Sequence, residues 1–313
     1  MKKSKLDLVE FGGWPLCVRL TNGVIEIYAT TEVGPRILRA GFVDGPNMFY
    51  VNPDEQGLVG GDEWRLFGGH RLWHAPEAMP RTYQPDNAAI EATLEKGSLL
   101  LRPMPERMTG IQKEMVVTLG PAETEVRITH RLTNRGPWPV TLAPWALSVM
   151  APGGFAVMPQ APFKPHEESL APARPMVLWH YTDMGDLRWR WGRRFVTLLQ
   201  DARSETPQKA GAAVSDGWLA YCFEGEVFIK RFAYDPHAQY PDFGSNAEMY
   251  TDARFLEIES LGPLVTLAPG ASTTHEEHWY LHRAEIAPTE DSIADRLLPL
   301  VQQTTQPSLQ PSS

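Results

Sequence analysis

Residues 14–30 read WPLCVRLTNGVIEIYAT, two runs rich in β-branched and aromatic residues on either side of Asn22-Gly23. An Asn-Gly pair between two such runs is a strong signal for a β-hairpin, because both residues tolerate the positive φ of a tight hairpin turn. The stretch therefore predicts two antiparallel strands near the start of the chain. Similar short runs, separated by turns rich in Gly, Pro, Asp and Asn, recur along the sequence as far as residue 281.

This recurring pattern predicts an all-β protein, one large antiparallel β-sandwich with a short C-terminal helix. The 28 prolines and 25 glycines are spread throughout and leave no room for long helices elsewhere. Thr289 or Ser292 can cap the terminal helix at its start. We expect a single sandwich domain over residues 1–286, the helix over 287–301 and a disordered tail over 302–313.

Composition excludes several classes of protein. The 313 residues carry 29 basic and 38 acidic side chains, a net charge of −9, without a Lys/Arg-rich stripe. We therefore expect no nucleic acid and no membrane surface as a partner. Two cysteines, Cys17 and Cys222, are too few for a disulfide framework. Without a signal peptide or an apolar run of membrane-spanning length, the sequence predicts a cytoplasmic protein.

Residues 66–77, LFGGHRLWHAPE, stand out from the rest of the chain. Their histidines, arginine and glutamate need too many hydrogen-bond partners for a core strand, whereas Leu66, Phe67 and Trp73 favour burial over a flexible loop. We expect this segment to form the wall of a binding site within a long irregular connection, residues 52–89.

A second informative stretch is the predicted strand over residues 255–261. Alternation places Glu257 and Glu259 on one face, with apolar residues at both ends of the run. Partial burial and the charge of the neighbouring carboxylate would raise the pKa of either glutamate, as acid/base catalysis requires. The alternative is an exposed strand face whose glutamates pair with lysine or arginine.

In the strand ending at Asn134, His130 lies on the apolar side and is predicted to be a hydrogen-bonded core histidine.

Other kinds of site have less support. His70, His74 and Glu77 have spacings that suit a metal on a helix, but Pro76 and the glycine pair oppose a helix there, and no HExxH motif is present. The glycine-rich run 57–69 lacks the Lys-Ser/Thr of a phosphate-binding loop, and no GxSxG motif occurs. We expect no metal and no cofactor.

Four stretches, taken in order, resemble the galactose mutarotase (aldose 1-epimerase) superfamily, and most of all a branch of it with no assigned activity. They span nearly the whole chain and are VGPRILRAGFVDGPNMFYV (33–51), LFGGHRLWHAPE (66–77), TNRGPWPVTLAPWALSVM (133–150), and FLEIES (255–260) followed by LAPGAS and a terminal WYL. The resemblance implies a galactose mutarotase-like "supersandwich" of two sheets, with a sugar-sized cleft on one concave face.

The resemblance also implies a reaction. In the superfamily a glutamate removes the proton from the anomeric hydroxyl while a histidine protonates the ring oxygen, so that the ring opens and closes on the other face. The glutamate corresponds to Glu259 or Glu257, and we prefer Glu259 because Ser-Leu-Gly-Pro follows it.

The histidines of the superfamily are missing from this chain. Trp145 and Phe67 stand at their positions, and neither side chain can transfer a proton. If acid/base chemistry is retained, His70 or His74 must replace them, because imidazole is the natural proton donor near neutral pH.

Other side chains are candidates for holding the sugar. Arginine can bind a hydroxyl or carboxylate through its fork of N–H groups, and tryptophan offers a stacking face for a pyranose ring. The predicted substrate-binding residues are Arg71, Trp73, Trp145, Tyr83, Asp235, Asn246 and Tyr250. Ordinary turn chemistry is an equally good explanation for Asp235 and Asn246.

Three functions follow from these features, each with a small-molecule carbohydrate as the partner. The first is a mutarotase-type isomerase of a free sugar or uronic acid, with Glu259, Glu257, His74 and His70 as catalytic residues. The second is a non-catalytic sugar-binding or sensing protein, favoured by the loss of both superfamily histidines. The third is a glycoside hydrolase or lyase that uses the glutamate pair with His74 or Tyr83.

Overall fold

A computed structural model describes residues 5–120 and 123–309 of the chain. In chain order its strands are β1 (Lys5–Phe11), β2 (Trp14–Thr21), β3 (Ile25–Thr30), β4 (Arg36–Phe42), β5 (His70–Ala75), β6 (Glu91–Glu95), β7 (Ser98–Arg102), β8 (Ile111–Leu119), β9 (Glu125–Asn134), β10 (Val140–Met150), β11 (Phe155–Pro159), β12 (Met176–Leu178), β13 (Trp189–Trp191), β14 (Phe195–Leu199), β15 (Gln208–Ala212), β16 (Trp218–Phe223), β17 (Glu226–Phe232), β18 (Ala247–Thr251), β19 (Leu256–Leu261), β20 (Val265–Leu267) and β21 (Ser272–Arg283). The helical segments are α1 (Pro241–Gly244), α2 (Glu290–Ser292), a π-helical turn (Ile293–Leu297) and α3 (Leu298–Gln302).

The strands form two antiparallel sheets, as the sequence predicted. The first sheet has the order β1-β2-β3-β4-β5-β10-β19-β18-β15-β12, with β20 added to one end of β10. The second has the order β13-β14-β11-β16-β17-β21-β9-β8-β7-β6. The all-β sandwich and the hairpin around Asn22-Gly23 are both confirmed, with β2 paired antiparallel to β3.

The main hydrophobic core lies between the two sheets. In the first sheet, alternate side chains of each strand point to the inner face, toward this core, or to the outer face, away from it. On the inner face, Leu72 and Ile258 join the main core cluster. On the outer face, Trp73, Trp145 and Leu147 belong to a separate cluster. The first sheet therefore has a packed side and a second side that carries its own aromatic cluster.

The structure of residues 66–77 differs from its prediction. Its middle part forms β5, whose six residues are all buried and which pairs with β4 on one edge and β10 on the other. The prediction that it is a poor core strand and part of an irregular connection is therefore wrong over residues 70–75. Polar side chains are tolerated at the centre of the sheet because each of them has at least one hydrogen-bond partner on another segment of the chain.

The C-terminal segment packs against the second sheet. Thr289 caps α2 by accepting a hydrogen bond from the Ser292 amide, and the helical region then runs through the π-helical turn into α3. Within residues 302–309, which the sequence predicted as part of a disordered tail, Gln302 ends α3. The Gln306 side chain donates to the Phe232 carbonyl at 2.9 Å, and the Thr305 amide donates to the Tyr280 hydroxyl at 3.2 Å. Residues 310–313 of that tail lie outside the described residues. None of the described helices is long and apolar enough to cross a membrane.

Candidate functional site

Strand β5 sends alternate side chains to the two faces of the first sheet. Arg71 and Trp73 point to the outer face, whereas His70, Leu72 and His74 point to the inner face. The two sets of polar groups are therefore held by one strand but are separated by the backbone of the sheet.

The outer face of the first sheet carries a cleft of about 450 Å³. Strands β5, β10, β15, β18 and β19 provide its floor, and the loops after β4, β5, β12, β14 and β18 provide its rim. Its lining consists of Trp64, Leu66, Arg71, Trp73, Glu77, Tyr83, Trp145, Leu147, Trp179, Tyr181, Pro207, Lys209, Tyr250, Arg254, Phe255 and Glu257. The volume lies in the range of about 300–1,000 Å³ that is usual for small-molecule sites.

Two cations and three carboxyl groups form the polar floor of the cleft. Arg71 Nη2 lies 3.0 Å from Glu257 Oε1. Lys209 Nζ lies 3.0 Å from Glu259 Oε2 and 2.8 Å from Glu248 Oε2. Because Glu248 and Glu259 are opposite each other in the pairing of β18 with β19, Lys209 from β15 can bridge both.

Aromatic rings cover these cations. The ammonium of Lys209 lies 4.8 Å from the ring centre of Trp145 and 4.8 Å from that of Trp179. The guanidinium carbon of Arg71 lies 4.6 Å from the ring centre of Trp73. Such distances are within the range of cation–π attraction. The cleft thus combines flat apolar rings with fixed charges, an arrangement that suits a ligand with both apolar faces and hydroxyl groups.

Burial and neighbouring charges change the pKa values of the ionisable side chains in the floor of the cleft. Burial raises the pKa of Glu257; Arg71 opposes that shift and Glu259 adds to it. Burial also raises the pKa of Glu248 well above its usual range, although Lys209 opposes it. The pKa of Lys209 is raised because its two carboxyl partners outweigh the opposite effect of burial. The floor therefore holds a lasting ammonium charge on Lys209, whereas Glu248 and Glu257 retain their protons to higher pH than a free glutamate does.

Solved structures resemble this arrangement of strands. A proposed aldose 1-epimerase of Klebsiella pneumoniae superposes with a TM-score of 0.61 at 13% identity, over 96% of this chain and 86% of that one. A galactose mutarotase-like protein of Lactobacillus casei gives 0.54 at 10% identity, over 85% and 100%. A proposed aldose 1-epimerase of Escherichia coli gives 0.51 at 14% identity, over 83% and 97%. The chain has the galactose mutarotase-like fold.

At such identities the likeness to solved structures establishes the fold alone. No protein-family model matches the sequence, and no curated protein matches it either. The roles of individual residues in this mutarotase-like chain must therefore be argued from its own geometry.

Most of the side chains that the sequence predicted to bind a sugar lie together in the cleft of this mutarotase-like chain. Those that line the cleft are Arg71, Trp73, Tyr83, Trp145, Tyr250 and Glu257. Glu259 lies directly below the lining and is fully buried. Its Oε2 accepts a hydrogen bond from Trp145 Nε1 at 2.8 Å in addition to the contact with Lys209. Glu257 is therefore the more accessible of the two candidate glutamates.

Asp235 and Asn246 do not line the cleft. The side-chain amide of Asn246 is buried and exchanges two hydrogen bonds with the backbone of Val214, at 2.7 and 3.1 Å. Asp235 Oδ1 accepts from the amide of His237 at 2.9 Å, which is the geometry of an Asx turn. The Asp235 contact agrees with the alternative of turn chemistry, whereas Asn246 joins two segments that are distant in the sequence.

The predicted replacement histidines also lie away from the cleft. His70 and His74 are on the inner face of β5, on the opposite side of the sheet from Glu257. His74 Nε2 contacts Glu106 Oε2 at 3.1 Å, and Lys113 pairs with the same carboxylate. The expectation that the 66–77 segment turns a histidine toward the glutamate strand is corrected. It failed because β5 is a regular strand, and its alternation places 70 and 74 opposite 71 and 73.

His70 instead belongs to a chain of neutral histidines between the sheets. His130 Nδ1 donates to the His275 carbonyl at 3.0 Å, which leaves His130 Nε2 as an acceptor. His70 Nε2 must then be the donor at 2.7 Å, and His70 Nδ1 accepts from the Ser148 hydroxyl at 2.9 Å. Burial lowers the pKa of both His70 and His130, in keeping with neutral rings. The prediction that His130 is a hydrogen-bonded core histidine is confirmed.

One buried ion pair completes this inner network. Lys230 Nζ lies 2.9 Å from Glu277 Oε1, and both side chains are fully buried. Glu277 also accepts from the Ser260 hydroxyl at 2.5 Å and from Trp279 Nε1 at 2.8 Å. Burial alone would raise the pKa of Glu277, but the ammonium charge of Lys230 outweighs it and holds that pKa below its usual range. The charge on Glu277 is therefore stabilised by three donors.

Among the described residues, His70, His130 and Glu277 are the group whose ligand atoms lie close enough for a metal, within 4.8 Å of one another. The geometry favours a hydrogen-bonded network instead. The two Nε2 atoms are 2.7 Å apart and share a proton, whereas two nitrogens at about 2.0–2.1 Å from one tetrahedral zinc are farther apart. The ammonium of Lys230 also pairs with the carboxylate of Glu277, the group that would have to bind the metal.

Several cleft residues were absent from the sequence prediction. They are Trp64, Leu66, Glu77, Trp179, Tyr181, Pro207, Lys209, Leu147, Arg254 and Phe255, with Glu248 below the surface. Glu248 could have been found, because it shares a strand face with the predicted Tyr250. Lys209 had no local signal, since its partners come from strands about 40 to 50 residues further along the chain.

Replacement of Glu248 by glutamine tests the protonation of the floor. Because the folded chain holds this proton to higher pH than the unfolded chain, its contribution to stability is complete below the usual glutamate pKa and is lost as pH rises through the raised pKa. We expect the native chain to lose at least about 1 kcal/mol relative to Glu248→Gln between pH 4.5 and 8. Urea unfolding at both pH values measures this difference, and parallel pH profiles would contradict it.

Proposed function

We propose that the cleft binds a carbohydrate, either a free sugar or a uronic acid. The observation that carries this proposal is the combination of tryptophan rings with paired charges around one cleft, whose volume of about 450 Å³ can hold a monosaccharide. A pyranose has apolar C–H faces that stack on aromatic rings, and its hydroxyl groups need charged or polar partners around its edge. The names of the fold neighbours, which include proposed aldose 1-epimerases, support the same class of ligand.

Binding is better supported than a histidine-assisted reaction. Both histidines of the 66–77 segment are held on the inner face, and none of the described residues that line the cleft is a histidine. Trp145, which stands at the position of the superfamily's acid histidine, donates its N–H to Glu259 instead. A sugar in the cleft would therefore meet stacking and charge, without the usual proton donor.

A mutarotase-type isomerase is the second candidate, and one observation favours it. Glu257 lines the cleft, and burial raises its pKa toward the range of a useful acid or base. NMR exchange spectroscopy separates the two functions. Faster exchange between the anomers of a bound sugar, lost in Glu257→Gln, supports the isomerase, whereas calorimetric binding without faster exchange supports the binding protein.

Trp73→Ala tests the proposed sugar site. Loss of a stacking face is expected to weaken binding of the best free sugar or uronic acid by roughly tenfold or more, because stacking on an aromatic ring contributes about 1–3 kcal/mol in comparable ring–ring contacts. Isothermal titration calorimetry measures the change. Trp138→Ala is the matched control, since Trp138 is 76% exposed and lies outside the cleft.

The milder Trp73→Phe keeps a ring in the same cluster and is expected to retain part of the affinity. Melting temperatures of all three variants show whether each is folded. Equal affinities in Trp73→Ala and Trp138→Ala, or a wild-type protein that binds none of the sugars, would refute the proposal.

A further inference from the structure

We infer that the cleft selects acidic sugars, with the carboxylate of a hexuronate bound by the guanidinium of Arg71. This inference rests on the proposed sugar site and adds to it the chemical class of the preferred ligand. It follows from a comparison of the cations that line the cleft, because they differ in how many of their N–H groups already have an acceptor.

Lys209 and Arg254 are already neutralised by the chain. Lys209 is placed between Glu248 and Glu259, at 2.8 and 3.0 Å. Arg254 donates through Nε and Nη2 to Asp252, at 3.1 and 2.7 Å. Each of these cations is thus matched to carboxyl groups of the protein, and a ligand anion would have to compete with them.

Arg71 has donors to spare. Its guanidinium has five N–H bonds, and Glu257 accepts at Nη2 alone. Nε and Nη1, which carry three of the five, have no acceptor among residues 5–120 and 123–309, although the side chain is more than nine-tenths buried. Buried donors without an acceptor are costly, and a ligand that supplies acceptor oxygens would remove that cost.

The surroundings of Arg71 determine how an acceptor can approach. The guanidinium carbon lies 4.6 Å from the ring centre of Trp73 and 5.9 Å from that of Trp64. Because guanidinium N–H bonds lie in the plane of the group, an acceptor must approach in that plane. A planar carboxylate suits this edge, and the sugar ring attached to it would extend toward the other rings of the cleft.

The charge available also favours a carboxylate over a phosphate. One guanidinium with unpaired N–H groups matches the single charge of a hexuronate, whereas a phosphate monoester carries a charge of about −1.5 to −2 at neutral pH. Glu257 and Glu77 also line the cleft, so a second negative charge on the ligand would meet two carboxyl groups. Among the described residues of the lining, no second cation has buried N–H groups without an acceptor.

Calorimetry with a panel of sugars tests the inference on the full-length chain. The probes are D-glucuronate and D-galacturonate, their neutral parents D-glucose and D-galactose, D-glucuronamide as a neutral isostere, and D-glucose 6-phosphate. We expect one of the hexuronates to bind at least about tenfold more tightly than its neutral parent, as a charge-assisted hydrogen bond implies. The amide should bind like the neutral hexose.

Arg71→Gln should abolish this preference and change the affinity for the neutral hexose much less. Since that variant leaves Glu257 without its cation, the double variant Arg71→Gln/Glu257→Gln provides a folded alternative with a neutral pair in the same place. Arg203→Gln is the control, because Arg203 is exposed and pairs with Asp201 away from the cleft.

Equal affinity for hexuronates and hexoses, or tighter binding of D-glucose 6-phosphate, would overturn the inference and leave the proposed sugar site intact. A preference for hexuronates that survives in both arginine variants would overturn it as well. Binding of no sugar by the wild-type chain would overturn the sugar site and this inference together.

Discussion

Replacement of Gly69 by alanine is expected to lower the free energy of unfolding by roughly 2–5 kcal/mol. Gly69 immediately precedes β5 and has a φ of +70°, where an L-residue costs about 1–2 kcal/mol. A Cβ at this position would overlap the carbonyl oxygen of Ile37 in β4, and overpacking of this kind costs about 1–3 kcal/mol. The two effects add because one concerns the backbone conformation and the other the space around it.

Gly60→Ala is the matched control for this variant. Gly60 has nearly the same φ, +71°, but a Cβ there would meet no atom within 4 Å. Only the conformational part of the cost should remain, about 1–2 kcal/mol. Guanidinium chloride unfolding of the two variants measures the difference. Equal destabilisation would show that β4 moves aside at little cost.

The second large effect is expected for Lys230→Met, at about 3–5 kcal/mol, because the change leaves the buried carboxylate of Glu277 without its cation. The hydrogen bonds from Ser260 and Trp279 remain, but neither donor carries a charge. The ammonium also donates to the carbonyls of Ala146 and Ile258, each at 3.2 Å, so that two strands of the first sheet lose a tie to the second.

Two further proteins separate charge from packing in this experiment. Arg203→Met removes an exposed partner of Asp201 and is expected to leave the stability nearly unchanged, because solvent screens the pair. Lys230→Met/Glu277→Gln removes both charges and should be more stable than Lys230→Met alone, because no buried charge is left unpaired. This account would be contradicted if the stability of Lys230→Met lay within about 1 kcal/mol of the wild type. It would also be contradicted if Lys230→Met/Glu277→Gln were less stable than Lys230→Met.

Much of the fold could be predicted because its signals are local. The Asn22-Gly23 turn specifies its hairpin through the φ values that these residues tolerate. Alternation in β19 was enough to place Glu257 and Glu259 on one face, and the same pattern in β9 placed His130 among apolar residues. In each case the deciding information lies within about ten residues.

The site was harder to predict because its polar residues are satisfied by distant parts of the chain. The histidines and arginine of β5 argued against a core strand, since their partners Ser148, His130 and Glu257 could not be identified from the segment itself. A lone lysine such as Lys209 carries no local sign that two glutamates and two tryptophans surround it. The outer face of a strand becomes a cleft only when non-neighbouring strands meet.

The position of β5 beside β10 has a consequence for how the chain folds. Strands β1 to β4 are neighbours in sequence and can pair as soon as they are synthesised, but β5 also needs β10, and β10 needs β19. Contacts between such distant segments form slowly, because a long loop must close before they stabilise the chain. On a growing polypeptide, the floor of the cleft therefore cannot be complete until Leu261 has left the ribosome.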